Sequence, residues 1–491
     1  VDYTPVFGDA IDLQRFAEIG KKGVLALMCD STNAERPGFT MSERTVGRVF
    51  DNLFNEHKNA RIIIATFASN VDRVQQIIDT AYRFGRKVAV EGRSMVNIIS
   101  VASELGYLRI PENTLIEIDQ VKNYPDEKVV LITTGSQGES MAALSRMAAG
   151  EGMVLLKNEK NTLPIRRGTK VALFGKGTVD YVKGGGGSGD VTVEYIRNLY
   201  EGMKIKEDEG KVEVFDKLAK YYEKDIQKQY ADGAVPGMTV EPELPDELLN
   251  EAREYTDTAV ITICRFSGEG WDRKCEAAQD GYVLDGEEKR NSELSAKIFE
   301  NGDFCLTNAE NDMVEKVKKA FPHVIVVMNV GGIVDTKWFR DCDEIQSVLM
   351  AWQGGMEGGL ATADILCGDV NPSGKLSDTY AKDLEDYPST ANFHESAFYV
   401  DYTEDIYVGY RYFETIPGAA ERVNYPFGFG LSYTDFDWKV TGASEENGVI
   451  TVLTEVTNTG KKAGKEVIQL YYGAPQGKLG KPAKVLGAFK K

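Results

Sequence analysis

The chain has 491 residues, 42% of them hydrophobic and 27% charged, which is typical of a globular protein with two or three domains. It contains no apolar run of about 18 residues and no basic-then-apolar leader, so we expect neither a membrane partner nor secretion. The six cysteines form no C-x-x-C pair, which favours reduced thiols and a cytoplasmic location.

The charge is unevenly distributed along the chain. Residues 1–148 carry 17 basic and 19 acidic side chains, a balance of −2, which leaves −17 of the net −19 for residues 149–491. A strongly acidic segment repels a polyanion, so nucleic-acid binding is disfavoured for the second part and not excluded for the first. This shift indicates a seam near Ala148 between two segments of different origin.

Short apolar runs alternate with segments of helical spacing in both parts. This alternation predicts two parallel sheets with helices on their faces. In the first part the predicted strands are 24–29, 62–66, 88–90, 114–118 and 129–133, and the predicted helices are 43–54, 71–84 and 95–105. In the second part the predicted strands are 171–174, 259–264, 324–329 and 347–351, and the predicted helices are 246–255, 310–321 and 356–366.

From about Leu431 the apolar residues recur with a period of two, which is typical of antiparallel strands. About three strands are predicted, so we expect a small β-sandwich that is truncated, and Val1 in place of Met indicates a start further upstream. The predicted fold class is α/β, with two parallel-sheet segments followed by a truncated antiparallel β-sandwich. The predicted domains are 1–148, 149–432 and 433–491.

The segment S-G-E-G-W-D-R (267–273) directly follows the predicted strand 259–264, and loops at the carboxyl ends of parallel strands are where open sheets bind ligands. Glu269 between two glycines is suited to reach a neighbouring site. Trp271 offers a flat apolar surface to a sugar ring, and it can also raise the pKa of a nearby carboxyl, as a general acid requires. The alternative is an ordinary polar glutamate in a loop.

A second loop, K-G-G-G-G-S-G-D (183–190), follows the predicted strand 171–174. Free N–H groups of glycines can bind a phosphate, but neither G-x-x-x-x-G-K-[ST] nor G-x-G-x-x-G in a strand–turn–helix context is present. A flexible loop lining a cleft is therefore favoured over a nucleotide site.

Several motifs, in order, make residues 149–491 resemble the C-terminal sandwich and the fibronectin type III-like part of a glycoside hydrolase family 3 β-glucosidase. They are G-M-V-L-L-K-N-E-K-N-T-L-P-I (152–165), the two loops above, V-I-V-V-M-N-V-G-G (324–332), A-W-Q-G-G-M-E-G-G (351–359), N-P-S-G-K-L (371–376) and Y-P-F-G-F-G-L-S-Y-T (425–434). The resemblance implies retaining hydrolysis of β-glucosides with Glu269 as the acid/base. It also implies substrate contacts from Lys183, Gly187, Ser188, Asp190, Trp271 and Arg273.

The family's nucleophile is an aspartate on a (β/α)8 barrel, and no barrel is present in these 491 residues. Retaining hydrolysis needs two carboxylates about 5–5.5 Å apart. We therefore expect a hydrolase acting on O-glycosyl bonds by family, but a catalytically incomplete one. A β-glucoside or small oligosaccharide would be its partner only once a barrel domain completes the site.

Residues 1–148 resemble ribonuclease J, a metallo-β-lactamase-type nuclease with a β-CASP insert. The blocks that carry this resemblance are L-M-C-D-S-T-N-A-E-R-P-G (27–38), A-T-F-A-S-N-V-D-R (65–73), G-R-K-V-A-V-E-G-R-S-M (85–95) and T-T-G-S-Q-G-E (133–139). The resemblance implies that Asp30 is a metal-bridging aspartate and that Gly135, Ser136 and Gln137 lie near RNA. Taken alone, an acidic residue at a strand end, such as Asp30, is more often a turn cap than a metal ligand.

The zinc chemistry of that family needs a cluster of histidines. The whole chain has three, at positions 57, 323 and 394, and none lies at metal-ligand spacing. We therefore expect no cofactor, zinc being required only by an intact nuclease, and we interpret Asp30 as an orphaned ligand. The chain is interpreted as an artefactual or recombinant fusion joined at the shared R-M-A stretch (146–148). The alternatives are an RNA-binding remnant of the nuclease and a non-catalytic carbohydrate-binding protein.

Overall fold

The computed structural model describes residues 11–24, 43–66, 70–91, 93–134, 142–186, 191, 193, 195–235, 237–266, 268, 293–393, 396, 398–399 and 401–491. The described residues form two compact units: the first comprises those before residue 142 and those within 191–194, and the second those within 142–190 and 195–491. Helix α5 (Ala142–Gly152), at the start of the second unit, contains Ala148. Among the helices described, none is long and apolar enough to cross a membrane.

The first unit contains a parallel sheet flanked by helices. Its helices are α1 (Leu13–Lys22), α2 (Glu43–Glu56), α3 (Val71–Arg83) and α4 (Arg93–Glu104), and its strands are β1 (Ile62–Thr66), β2 (Lys87–Glu91), β3 (Leu115–Ile116) and β4 (Val129–Thr134). The strand order is β1-β4-β2-β3, and every pair is parallel. Side chains of α2, α3 and α4 pack with those of β2 and β4 into one core. The predicted strand 24–29 lies outside the described residues except for Val24.

The second unit contains a larger sheet. Its helices are α5 (Ala142–Gly152), α6 (Leu199–Asp208), α7 (Asp216–Ala231), α8 (Asp246–Tyr255), α9 (Asn308–Ala320), α10 (Lys337–Arg340), α11 (Gly358–Cys367) and α12 (Tyr410–Thr415). Its strands are β5 (Val154–Asn158), β6 (Thr169–Phe174), β7 (Val212–Val214), β8 (Thr258–Arg265), β9 (His323–Val330), β10 (Ser347–Met350), β11 (Tyr380–Ala381) and β12 (Val423–Tyr425). Six of these strands form one sheet in the order β5-β10-β9-β8-β6-β7, in which β5 is the antiparallel strand.

Both faces of this sheet are buried, which explains why its central strands are continuous apolar runs. Ile261 and Ile263 of β8 face a core completed by α7, α8 and α9. Val260, which directly precedes Ile261 and so faces the opposite side of the sheet, lies in a second core completed by α6 and α11. The unit is thus a three-layer α/β sandwich, and its parallel arrangement was predicted from the sequence.

Helix α6 was not predicted, because a charged residue interrupts its buried face. The Lys206 side chain is 1% exposed, and its Nζ lies 2.6 Å from Asp364 Oδ1 and 2.8 Å from Asp369 Oδ2. A buried lysine is tolerated only when it is paired in this way. Its partners Asp364 and Asp369 lie far along the chain, so the apolar pattern around Lys206 could not indicate the pairing.

Two small antiparallel sheets follow, which confirms the predicted change to antiparallel strands. The strands are β13 (Phe436–Glu446), β14 (Val449–Asn458), β15 (Ile468–Tyr472) and β16 (Val485–Lys490), paired β13 with β14 and β15 with β16. Asn447 and Gly448 join the first pair with φ of 54° and 79°, as expected for an Asn-Gly hairpin turn. The fourth strand, β16, was not predicted, because Gly487 interrupts its short alternation of apolar and polar residues.

Candidate active site

The loops that follow β6 and β8 meet at one edge of the sheet. Because these strands are neighbours and parallel, their carboxyl ends point the same way. Gly186, in the glycine-rich loop after β6, forms an isolated parallel bridge with Gly268, in the loop after β8. Gly268 immediately precedes Glu269, so the bridge holds the start of the Glu269 segment against the glycine-rich loop. The carboxyl ends of parallel strands are where ligands bind in open α/β sheets.

The bridge requires glycine, because the two backbones are too close for a side chain. A Cβ at Gly268 would lie 2.0 Å from Gly186 N, whereas a Cβ at Gly184 would meet nothing within 4 Å. We expect Gly268→Ala to separate the loops and to speed hydrogen exchange of the amides of residues 183–186 by about tenfold or more, as for local opening. The matched control Gly184→Ala should exchange like the parent. Equal protection in both variants would contradict the role of the bridge.

The base of the Glu269 segment is anchored by a buried ion pair. Arg265, at the end of β8, donates from Nη1 and Nη2 to the Glu310 carboxylate at 2.6 and 2.7 Å, and the two side chains are 3% and 2% exposed. Its Nε and Nη2 also donate to the carbonyls of Asp303 (3.0 Å) and Cys305 (2.7 Å). Burial alone would raise the pKa of Glu310, but the Arg265 charge and its hydrogen bonds hold that pKa below its usual value.

The glycine-rich loop is anchored by Asn329, near the end of β9. Its Oδ1 accepts from Val182 N at 2.8 Å, and its Nδ2 donates to Val182 O at 2.9 Å and to Trp352 O at 2.7 Å. The loop after β10 also holds the glycine-rich loop through a backbone hydrogen bond, in which Gly355 N donates to Lys183 O at 2.8 Å. Asn329 was not singled out from the sequence. A fully buried polar residue within an apolar strand is the signal that could have found it.

A buried polar cluster lies between the end of β6 and the segment before α8. Lys176 Nζ donates to Thr239 Oγ1 at 2.9 Å, and that hydroxyl donates to Asp180 Oδ2 at 2.5 Å. Lys176 N donates to Glu241 Oε2 at 2.9 Å. The pKa of Glu241 is raised to about 8, chiefly by burial and also by the charge of Glu310, against the hydrogen bond from Lys176 N and the charge of Lys176. Glu241 is therefore protonated in the folded protein at neutral pH.

This carboxyl should make the stability of the second unit depend on pH. An unfolded glutamate ionises at about 4.3, so from about pH 4 to about pH 8 the folded state holds a proton that the unfolded state has lost. The free energy of unfolding should therefore fall as pH rises, on the order of 1 kcal/mol per pH unit from this group, and level off above about pH 8.

Glu241→Gln should flatten this dependence, and the exposed neighbour Glu243→Gln should not. The measurement is urea denaturation followed by tryptophan fluorescence at several pH values. All four tryptophans of the chain lie between positions 271 and 438, so the signal reports on the second unit. An unchanged slope in Glu241→Gln would show that this carboxyl does not titrate as its burial requires.

Of the residues assigned to the site from sequence, the structure describes Lys183, which is half-buried beside the bridge. The remaining assigned residues lie outside the described residues: Asp30, Gly135, Ser136, Gln137, Gly187, Ser188, Asp190, Glu269, Trp271 and Arg273. Their roles stay predictions. Within the ranges that are described, no three His, Cys, Asp or Glu side chains are grouped so as to hold a metal ion.

Residues 153–433, which include this edge of the sheet, match the family model of the glycosyl hydrolase family 3 C-terminal domain. The chain belongs to glycosyl hydrolase family 3. It is 60% identical over 378 residues to β-glucosidase A of Butyrivibrio fibrisolvens, covering 73% of this chain and 45% of that protein. It is 38% identical over 349 residues to a β-glucosidase of Ruminococcus albus, covering 70% and 33%. The chain thus spans less than half the length of these family 3 relatives.

Solved family 3 structures agree with this assignment. A β-glucosidase from Paenibacillus barengoltzii matches with a TM-score of 0.62 at 43% identity, covering 72% of this chain and 36% of that one. β-Glucosidase 3B from Thermotoga neapolitana, solved with α-D-glucose, matches with a TM-score of 0.60 at 30% identity, covering 88% and 58%.

A second family model, the ribonuclease J β-CASP domain, matches residues 59–189. Ribonuclease J of Synechocystis is 47% identical over 151 residues, covering 31% of this chain and 23% of that protein. Ribonuclease J2 of Bacillus subtilis is 47% identical over 148 residues, covering 30% and 26%. Both predicted resemblances, to family 3 and to ribonuclease J, are therefore confirmed on different parts of the chain.

Proposed function

We propose that the second unit supplies the acid/base half of a retaining β-glucosidase site, with Glu269 as the acid/base. The observation that carries the proposal is the Gly186–Gly268 bridge, which joins the two glycine-containing loops at the carboxyl ends of β6 and β8. Membership in family 3 and two relatives described as β-glucosidases support the choice of β-glucosides as substrates.

In this proposal Glu269 protonates the departing glycosidic oxygen in the first step and activates water in the second. The glycine-rich loop, through Lys183, Gly187, Ser188 and Asp190, binds the sugar hydroxyls. Trp271 and Arg273 complete the wall of the site beside Glu269. Anchoring both loops to buried groups reduces the reorganisation needed at each step, because the donors are already in place when substrate arrives.

The nucleophilic carboxylate would come from a barrel domain, and the strands that the structure describes form no barrel. Since both carboxylates must act on one anomeric carbon, the 491-residue polypeptide alone should release no measurable product from an aryl β-glucoside. Replacing the matching region of the Butyrivibrio enzyme with the corresponding segment of this chain should give an active hybrid. An inactive hybrid that is folded, or turnover by the isolated chain that Glu269→Gln abolishes, would contradict the proposal.

A second candidate function rests on the ribonuclease J β-CASP match and on the near-neutral charge of residues 1–148. In this alternative the first unit is an RNA-binding remnant, and the family 3 unit is the passenger. RNA binding that weakens steeply with salt and survives deletion of residues 149–491 would favour it. Under the leading proposal, the first unit is an inactive passenger and binds RNA no better than an unrelated protein of equal charge.

A further inference from the structure

A cavity of about 750 Å³ lies in the second unit, where the end of the sandwich meets the two C-terminal sheets. The lining residues that the structure describes lie between positions 340 and 484. Its volume lies within the range of about 300–1,000 Å³ found for small-molecule sites. We call it the aromatic cavity, after the rings that line it: Phe413, Tyr410, Phe427, Trp438 and Tyr471.

Three of these rings pack against one another and are half-buried. Tyr410 stacks on Phe427 with centroids 4.6 Å apart, and Tyr471 meets Tyr410 edge-on at 5.9 Å. Trp438, on β13, is 61% exposed although it is the largest apolar side chain in its strand. Rings with one apolar face and access to water suit ligands that are themselves apolar on one face and polar at the edge.

Among the described lining residues, four of the five charged side chains form two ion pairs, and the fifth, Arg340, donates to Asn424 Oδ1 at 2.9 Å. Lys375 lies 2.7 Å from Glu466, and Lys484 lies 2.8 Å from Glu414. Such pairs cancel in charge but still offer donors and acceptors side by side, so they favour a neutral ligand rich in hydroxyl groups over an ion. Thr379 also lines the cavity at 3% exposure, and its Oγ1 has no hydrogen-bond partner among the described residues.

We propose that the aromatic cavity is a second carbohydrate-binding site, separate from the Glu269 site, which takes a neutral oligosaccharide of two or three sugars. Sugar rings stack on Trp438 and the neighbouring tyrosines, and their hydroxyls bind the paired lysines and carboxylates. The proposal does not depend on the role of Glu269, because none of the described residues that line the cavity is assigned to the Glu269 site.

The test uses the full 491-residue chain labelled with 5-fluorotryptophan, with cellotriose as the probe. Each of the four tryptophans is assigned by its own substitution to Phe. In fluorine NMR, millimolar cellotriose should shift the Trp438 resonance in a saturable way, and Trp271→Phe should leave that shift intact. No shift at Trp438, or a shift that Trp271→Phe abolishes, would overturn the proposal.

Calorimetry with the same sugar supplies the second measurement. Trp438→Ala should weaken cellotriose binding about tenfold, as for loss of a stacked ring, and Trp438→Phe should restore most of it. The matched control Phe489→Ala removes a ring that is 70% exposed on β16 and does not line the cavity, so binding should be unchanged. Equal affinity in Trp438→Ala and the parent, with both folded by circular dichroism, would refute the site.

Discussion

Glu269→Gln in the active hybrid is expected to lower kcat/KM for cellobiose by about 10²- to 10⁴-fold, the usual worth of a general acid/base. Gln keeps the size of the side chain but can neither donate a proton to the leaving oxygen nor accept one from water. The loss should be smaller for a nitrophenyl glucoside in the first step, because nitrophenolate departs without protonation. Comparing the two substrates therefore separates acid catalysis from a general structural defect.

Azide gives a sharper version of the same experiment. In Glu269→Ala, a small anion can enter the vacated space and attack the glycosyl-enzyme without base catalysis, so azide should accelerate turnover and yield a β-glucosyl azide. Glu254→Gln, which changes an exposed glutamate of α8, is the matched control and should retain parental activity. A Glu269 variant that loses activity equally on both substrates and is not rescued by azide would place the acid/base elsewhere.

Breaking the Arg265–Glu310 pair should produce the largest loss of stability in the second unit. Glu310→Ala leaves the guanidinium buried without its partner, so the free energy of unfolding should fall by about 3–5 kcal/mol. The carboxylate also accepts from Thr307 N at 2.9 Å at the start of α9, and that cap would be lost as well. Urea denaturation followed by tryptophan fluorescence measures the change in this unit.

Two controls separate this prediction from a general effect of charge removal. Asp246→Ala breaks the exposed pair with Lys316, which is 2.8 Å long, and should cost about 0–1 kcal/mol. The double variant Arg265→Met, Glu310→Leu removes both charges and should recover much of the loss, since an apolar pair needs no desolvation of ions. A Glu310→Ala loss no greater than that of Asp246→Ala would show that the buried pair is not a main anchor of the loop.

The pH dependence of the pair has the opposite sign to that of Glu241. The pKa of Glu310 is lowered in the folded state, so its stabilising contribution is complete above the unfolded value of about 4.3 and is lost as pH falls through the folded value. Acid should therefore release the Arg265 anchor, whereas a rise in pH towards about 8 should destabilise the Glu241 cluster.

Sequence patterns alone determined the kind of structure in each region. The alternation of predicted strands and helices predicted both parallel sheets. A strand that is buried on both faces must be apolar along its whole length, and such a run can be recognised from neighbouring residues in the sequence. The position of Glu269 and of Lys183 just after predicted strands was likewise visible, since chain order places such loops at a sheet edge. The motifs around them predicted both families.

The tertiary structure decided which of these groups meet. The Gly186–Gly268 bridge joins positions 82 residues apart, and the Asn329 bonds to Val182 join positions 147 apart. Burial of Arg265 at the end of β8 stabilises the fold only because Glu310, in helix α9, pairs with it. The spacing of apolar residues shows only which face of a single helix or strand is buried. Which polar groups pair depends instead on the order of the strands and on how closely two backbones approach. Only the folded chain sets those distances.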